Sequence, residues 1–208
     1  MEVVVFTYVL EMVCIVAFAF SGVLVESNRG KDIVSILLLG WVTALGGGTL
    51  RDLIINTEQV FWIRDPTYFW VALLSSCLAF FLITEIRKSK VEKMVTLFDT
   101  IGVSLFSVLV TEKLYSAGFA AYVAISMGMV TAVFGGVLRD ILAHRSNMFN
   151  NTEIYATPVI LGSSLYVLLY NVGGWDHLAA MLSILFSVSL RLYVVAKKIR
   201  YPDFLILK

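Results

Sequence analysis

The sequence predicts an all-α membrane protein: seven transmembrane helices, arranged as an inverted repeat of three plus three spans with one extra helix. Three observations carry that prediction. The chain is 59% hydrophobic and 15% charged over 208 residues, whereas soluble domains run near 45–50% apolar and about 25% charged. Its mean hydropathy of +0.88 therefore calls for a lipid-facing surface. Finally, Gly46-Gly47-Gly48-Thr49-Leu50-Arg51-Asp52 returns as Phe134-Gly135-Gly136-Val137-Leu138-Arg139-Asp140, both times inside an apolar run.

A hydrocarbon core of about 30 Å takes roughly 20 apolar residues as helix. Runs 3–25, 32–55, 67–86, 94–111, 118–143, 155–172 and 176–196 meet that length. The first follows Met1-Glu2-Val3-Val4-Val5, which lacks the basic region of a signal peptide, so it is expected to stay as the first helix. Polar or helix-breaking punctuation separates the rest: Asn28-Arg29-Gly30-Lys31, Arg64-Asp65-Pro66, Arg87 to Lys93, Ser116 to Gly118, Ser146 to Thr152 and Gly173-Gly174. No linker is long enough to hide a soluble domain. The expected organisation is a single membrane domain over 1–208, with repeat one at 1–88, repeat two at 89–174, the seventh helix at 175–197 and a short cytoplasmic tail at 198–208.

Basic residues orient the spans, because loops rich in Lys and Arg stay on the cytoplasmic side. Of the 16 Lys and Arg, only Arg51, Arg64 and Lys113 fall near the ends that share a side with the N-terminus. The N-terminus is expected outside and the C-terminus in the cytoplasm, in a multi-pass cell (inner) membrane protein. The sequon Asn150-Asn151-Thr152 then falls on the inner side, as a chance match. Trp62, Trp70, Tyr115, Trp175 and Tyr201 fall near the interfaces, where aromatic anchors belong.

The repeat extends beyond the glycine motif. At the same spacing Glu11 meets Asp99, Phe18 meets Phe106, Gly40 meets Gly128, Thr43 meets Thr131 and Ala44 meets Ala132. Each copy holds three spans, an odd number, so the second enters from the opposite face. The two copies are then related by an axis lying in the membrane plane.

Composition also excludes functions. A net charge of +1 is too small to attract nucleic acid. Cys14 and Cys77 sit in apolar runs without metal-ligand spacing, and His144 and His177 are isolated. No nucleophile–base set, zinc motif, phosphate loop or dinucleotide fingerprint is present, so neither an enzyme nor a resident metal or cofactor is expected.

Adjacent glycines weaken a helix, and a broken membrane helix is tolerated only against protein or a water-filled cavity. On that reading Gly46, Gly47, Gly48, Gly135 and Gly136 open carbonyls to a partly dehydrated monovalent cation, with Thr49, Asp52, Asp140 and Ser104 along the same path. Close packing is the competing reading. Gly40, Ala44 and Gly48 recur every fourth residue, as do Ala120, Ala124, Gly128, Ala132 and Gly136, and such ridges bring helix backbones together. The two readings are compatible.

A charge in hydrocarbon needs an opposite charge facing it. Depth along the helices predicts two buried pairs, Glu11 with Arg51 and Asp99 with Arg139, structural or gating in role. Asp52 and Asp140 stand about 100° further around their helices and are expected to face the cation path. Alternatively both arginines snorkel to the nearer interface. Thr100, Ser104, Ser107 and Thr111, and likewise Ser183, Ser187 and Arg191, form polar stripes at helical spacing.

This set, Gly46 to Asp52 in span 2 and Phe134 to Asp140 in span 5 within a three-plus-three-plus-one plan, resembles the trimeric intracellular cation (TRIC) channel family over nearly the whole chain. The short polar tail after Arg200 is similar to that of the prokaryotic branch. The resemblance implies a homotrimer in membrane lipid, with a potassium-permeable pore inside each protomer bounded by spans 2 and 5, kinked at Gly46 to Gly48 and at Gly135-Gly136. Potassium is then the permeant ion rather than a cofactor. Phe134 stands where the first copy has Gly46, so the two kinks are expected to differ. Related bacterial sequences carry a glycine-transporter label, and a secondary transporter of glycine or another small amino acid is the alternative function. Inverted repeats suit alternating access, and broken-helix N-termini can hold a carboxylate.

Overall fold

Among the described residues, six helices are long and apolar enough to cross a bilayer, and the helix over Thr67–Leu82 is a shorter apolar one. The computed structural model describes residues 2–26, 32–83, 88–145, 154–173 and 176–202. Among them run α1 (Glu2–Val25), α2 (Ile33–Ile54), α3 (Phe61–Arg64), α4 (Thr67–Ile83), α5 (Lys88–Ser116), α6 (Ala121–Leu142), α7 (Ala156–Gly173) and α8 (Asp176–Lys197). Arg29, Lys31, Arg87, the Asn150 sequon, Trp175 and the end of the tail lie outside the described residues.

Seven of these helices are the predicted spans. α5 is the clearest departure, since it runs from Lys88 to Ser116 rather than over 94–111. Its polar first turns continue the helix beyond the apolar stretch, with Glu92 and Lys93 exposed. The sequence also shows no sign of α3, which is one turn long. Its first N–H, that of Phe61, donates to the Asp52 carboxylate at 2.7 Å, which anchors the turn on the end of α2.

The packing repeats itself under exchange of α1 with α5, α2 with α6 and α4 with α7. α1 packs on α2 and α4 just as α5 packs on α6 and α7, while α1 meets α5 and α2 meets α6 across the middle. α8 stands outside this exchange and covers α5 and α7.

Individual contacts obey the same exchange. Phe18 and Phe106, equivalent residues, meet each other edge to face at 6.2 Å. A side chain added at Gly47 would run into the Thr131 carbonyl, and one at Gly135 into the Thr43 carbonyl. Likewise Gly40 faces Ser76, Val23 and the Ala19 carbonyl, whereas Gly128 faces Ser163, Thr111 and the Ser107 carbonyl.

α2 and α6 also end alike. Asn56 and His144 take φ of 55° and 48°, a left-handed conformation that closes a helix C-terminus. The next N–H reaches back to the residue that precedes the last turn, Thr57 to the Asp52 carbonyl at 3.0 Å and Arg145 to the Asp140 carbonyl at 2.8 Å. At the other end of α2, Asp32 caps the helix by accepting from the Ser35 N–H at 3.0 Å.

The expected breaks at the glycines are not there. α2 is continuously helical through Gly46-Gly47-Gly48, and α6 through Gly135-Gly136. Gly47 and Gly135 instead let two helix backbones touch, so the packing reading of these two glycines accounts for the geometry. Gly46 faces Leu138, and Gly48 faces the ring of Phe61.

Gly47→Ala and Gly135→Ala each push a methyl group into a backbone carbonyl, which cannot rotate away. Each is expected to destabilise the protein by about 1–3 kcal/mol, read as a lower thermal midpoint in detergent. Gly118→Ala, where nothing lies within 4 Å, is the control for a glycine substitution without a clash, though its φ of +89° adds backbone strain.

Candidate functional site

Arginine at the end of an apolar helix must find acceptors inside the protein, because lipid offers none. α6 brings Arg139 into a dense cluster. Its Nη1 donates to Asp99 Oδ1 of α5 at 2.8 Å and to the Ser21 hydroxyl of α1. Its Nε and Nη2 donate to the two oxygens of Asp140 at 2.9 and 3.1 Å. The second Asp99 oxygen accepts from the Tyr155 hydroxyl at 2.8 Å and from Arg191 of α8 at 3.3 Å. Arg191 also lies 3.8 Å over the Tyr155 ring. Gly136 leaves room beside Asp99 and Tyr155, which an added side chain would crowd. Two cations therefore face two anions, and the cluster is neutral.

The equivalent cluster at the other end of the molecule is looser. Arg51 of α2 donates through Nε to Asp52 Oδ1 at 2.7 Å, and Asp52 also accepts from the Phe61 N–H. The guanidinium lies 5.5 Å from the Phe61 ring centre and 5.9 Å from that of Phe106. Such cation–π contacts stabilise a buried cation without a second acid. Glu11 takes the Tyr68 hydroxyl and lies 4.0 Å from Lys113, whose side chain is 44% exposed. Beside this cluster, Thr49 accepts from the Trp62 indole at 3.0 Å. In the turn after α3, Asp65 takes the Tyr8 hydroxyl at 2.9 Å. The Thr67 hydroxyl beside it holds the Asp65 carboxyl below the usual carboxylate range.

The sequence expectations divide here. The pair Asp99–Arg139 is present. Among the described residues Arg51 makes no ion pair with Glu11, and its partner is Asp52 next to it. Asp52 and Asp140 do not stand free toward a path, because each closes on the preceding arginine. Adjacent side chains leave a helix about 100° apart, but a long, flexible arginine bends back across that angle to a short acid. Neither arginine snorkels out, since Arg51 is 2% and Arg139 5% exposed. Ser104 is fully buried on α5.

Tyr68, Tyr155, Phe61 and Ser21 were not among the expected site residues. The tyrosines carry a signal that a one-residue gap would have exposed. Tyr68 and Tyr155 are repeat equivalents at a spacing one shorter than that of Arg51 and Arg139, as are Ser76 and Ser163. Each tyrosine donates to the acid of its own half.

Between the clusters lies the crossing of α2 and α6, closed by Phe18 and Phe106 and by the two glycine–threonine contacts. A duplicated helix pair, with an ionised cluster on each side of an apolar crossing, defines a class of polytopic membrane protein built around its own centre. A family model described as "Glycine transporter" matches residues 8–84 and again 96–171. The inner membrane protein YadS of Escherichia coli is 34% identical over 95% of each chain. A TRIC trimeric intracellular cation channel orthologue from Rhodobacter sphaeroides, of known structure, is 34% identical with a TM-score of 0.87, over 93% of this chain and 98% of that one. A second solved structure, of a TRIC cation channel, is 28% identical with a TM-score of 0.80, over 96% and 98%. The chain belongs to the TRIC family.

The two clusters predict unequal responses to loss of an acid. Asp99→Asn removes the acid that Arg191 faces and one of the two that hold Arg139, and is expected to cost about 3–5 kcal/mol. Asp52→Asn removes the acid that Arg51 Nε bonds and falls in the same range. Glu11→Gln is expected to cost under about 1 kcal/mol, because Tyr68 can still donate to the amide and Lys113 reaches water. Thermal unfolding of the three variants in one detergent checks the order. A Glu11→Gln loss as large as that of Asp52→Asn would contradict the pairing described here.

Proposed function

We propose that the protein is a monovalent cation channel, potassium-conducting, with its path inside each protomer between α1, α2, α5 and α6. One observation carries this reading: the two pseudo-symmetric charge clusters lie on either side of a crossing where Phe18 meets Phe106 and glycines rest on opposite carbonyls. The crossing is narrow in this conformation, so conduction requires α2 and α6 to separate there. At Gly47 and Gly135 the contact between them is backbone on backbone, with the Leu138 side chain packed beside it against Gly46, so few side chains must move for it to open. Separation turns the hydroxyl and carbonyl groups of Thr43 and Thr131 toward the opened space, where oxygen dipoles replace the hydration shell of a cation.

The arginines do not bar a cation in this scheme, because each charge is matched. Arg139 and Arg191 face Asp99 and Asp140, while Arg51 and Lys113 face Asp52 and Glu11. Glycines 46–48 and 135–136, with Thr49, Asp52 and Asp140, border the route as helix surface. The channel is proposed to work as a homotrimer in the inner membrane, with the N-terminus outside and the C-terminus in the cytoplasm. The structural relative from Rhodobacter sphaeroides is described as trimeric, and the Escherichia coli relative as an inner membrane protein. The family-model description favours a second reading, a carrier for glycine.

Reconstitution in a planar bilayer separates the two. Unitary potassium currents are expected from the purified protein, and Phe106→Ala is expected to raise the open probability several-fold by shortening the plug. Absence of unitary steps, together with saturable uptake of labelled glycine into liposomes, would overturn the channel in favour of the carrier.

A further inference from the structure

Hydroxyl groups in membrane helices ordinarily satisfy themselves on the carbonyl one turn back. Thr43, Ser76 and Thr111 do so here, at 2.6, 2.8 and 2.8 Å. Among the described residues, four fully buried serine and threonine hydroxyls do not: Thr100 and Ser104 on α5, Ser163 on α7 and Ser183 on α8 have no hydrogen-bond partner. All four belong to three helices that pack on one another, α5, α7 and α8, with Ser163 at the edge of that seam, against Gly128 of α6.

The first repeat supplies the comparison. Thr100, Ser104, Ser107 and Thr111 stand where α1 has Met12, Val16, Ala19 and Val23. Ser163 stands where α4 has Ser76, which bonds to its own helix. Unpaired hydroxyls thus mark the half of the molecule that α8 covers. On α8 itself Ser183, Ser187 and Arg191 share one face. Ser187 donates to the Pro158 carbonyl at 3.2 Å, and Arg191 turns its Nη groups to Asp99 and to the Tyr155 carbonyl, leaving a buried Nε without a partner.

A buried donor left unmade forfeits its full desolvation, so a seam with five such atoms needs an occupant. The occupant must donate to some groups and accept from others, and must tolerate the guanidiniums of Arg191 and Arg139 at one end. Those cations disfavour a metal cation, and the hydroxyls supply no net positive charge along the seam to hold an anion. We infer that water fills the seam between α5, α7 and α8, linking the four hydroxyls to Arg191 Nε and solvating the Asp99–Arg191 pair. This hydrated seam is separate from the α2–α6 crossing and does not depend on what the protein conducts.

Two measurements on the full chain test it. Ser104→Cys and Ser183→Cys, each made with Cys14→Ala and Cys77→Ala, place a near-isosteric thiol in the seam, and silver ion is the probe. The reference is Cys14 in a Cys77→Ala protein, fully buried in the apolar core. Seam thiols are expected to react at least about 10-fold faster than Cys14, because a dry buried thiol is inert. Rates equal to that of Cys14 would overturn the inference. Independently, Ser104→Ala and Ser183→Ala are expected to lower the thermal midpoint by about 2–4 °C, through loss of a bridged water. A raised midpoint would mean dry, unpaired hydroxyls, and an unchanged one hydroxyls that bond within their own helix; either overturns it.

Discussion

The architecture depends on a place where two helix backbones touch. Gly47 sits on the Thr131 carbonyl and Gly135 on the Thr43 carbonyl, and any side chain there would force α2 and α6 apart. That approach brings Phe18 onto Phe106 and fixes where the two copies meet. It also sets the register of everything further along both helices. Arg51 and Arg139, one turn beyond the contact, leave the crossing in opposite directions, Arg51 toward the rings of Phe61 and Phe106 and Arg139 toward Asp99 and Ser21. The glycines therefore serve the charges indirectly, by deciding where the arginines emerge.

Each arginine is then kept in place by local covalent geometry as much as by tertiary contact. Asp52 and Asp140 follow their arginines directly, and their own carbonyls accept the bonds that close the helix ends at Asn56 and His144. One short segment thus supplies a cation, its counter-ion and the stop of the helix. Duplication of that segment delivers a complete charge cluster to each side without any need to evolve the second one separately.

Much of this was legible in the sequence. Seven apolar runs, an odd-numbered repeat and the spacing of Glu11, Arg51, Asp99 and Arg139 are properties of single residues and fixed intervals, which survive without knowledge of tertiary contact. What the sequence hid was direction. Whether Arg51 turns to Glu11 or to Asp52 is a choice of rotamer, decided by the Phe61 N–H, which fixes Asp52, and by the rings of Phe61 and Phe106. Whether adjacent glycines bend a helix or admit a neighbour is decided by the neighbour, here the carbonyls of Thr131 and Thr43. The tyrosines that serve Glu11 and Asp99 were hidden for another reason, since a one-residue difference in the intervening loops takes them out of step with the main repeat.

The inequality of the two arginines has an electrical meaning. Four acceptor oxygens surround the Arg139 guanidinium, while one carboxylate oxygen and two aromatic rings hold that of Arg51. A membrane potential exerts the same force on both, up to about 2.3 kcal/mol per 100 mV for a full traverse of the field, but against different restraints. Of the two, the Arg51 guanidinium is held by fewer polar contacts, so its restraint against that force is the weaker. A protein assembled from two like halves is in this respect a polarised device, with a compliant face and a stiff one.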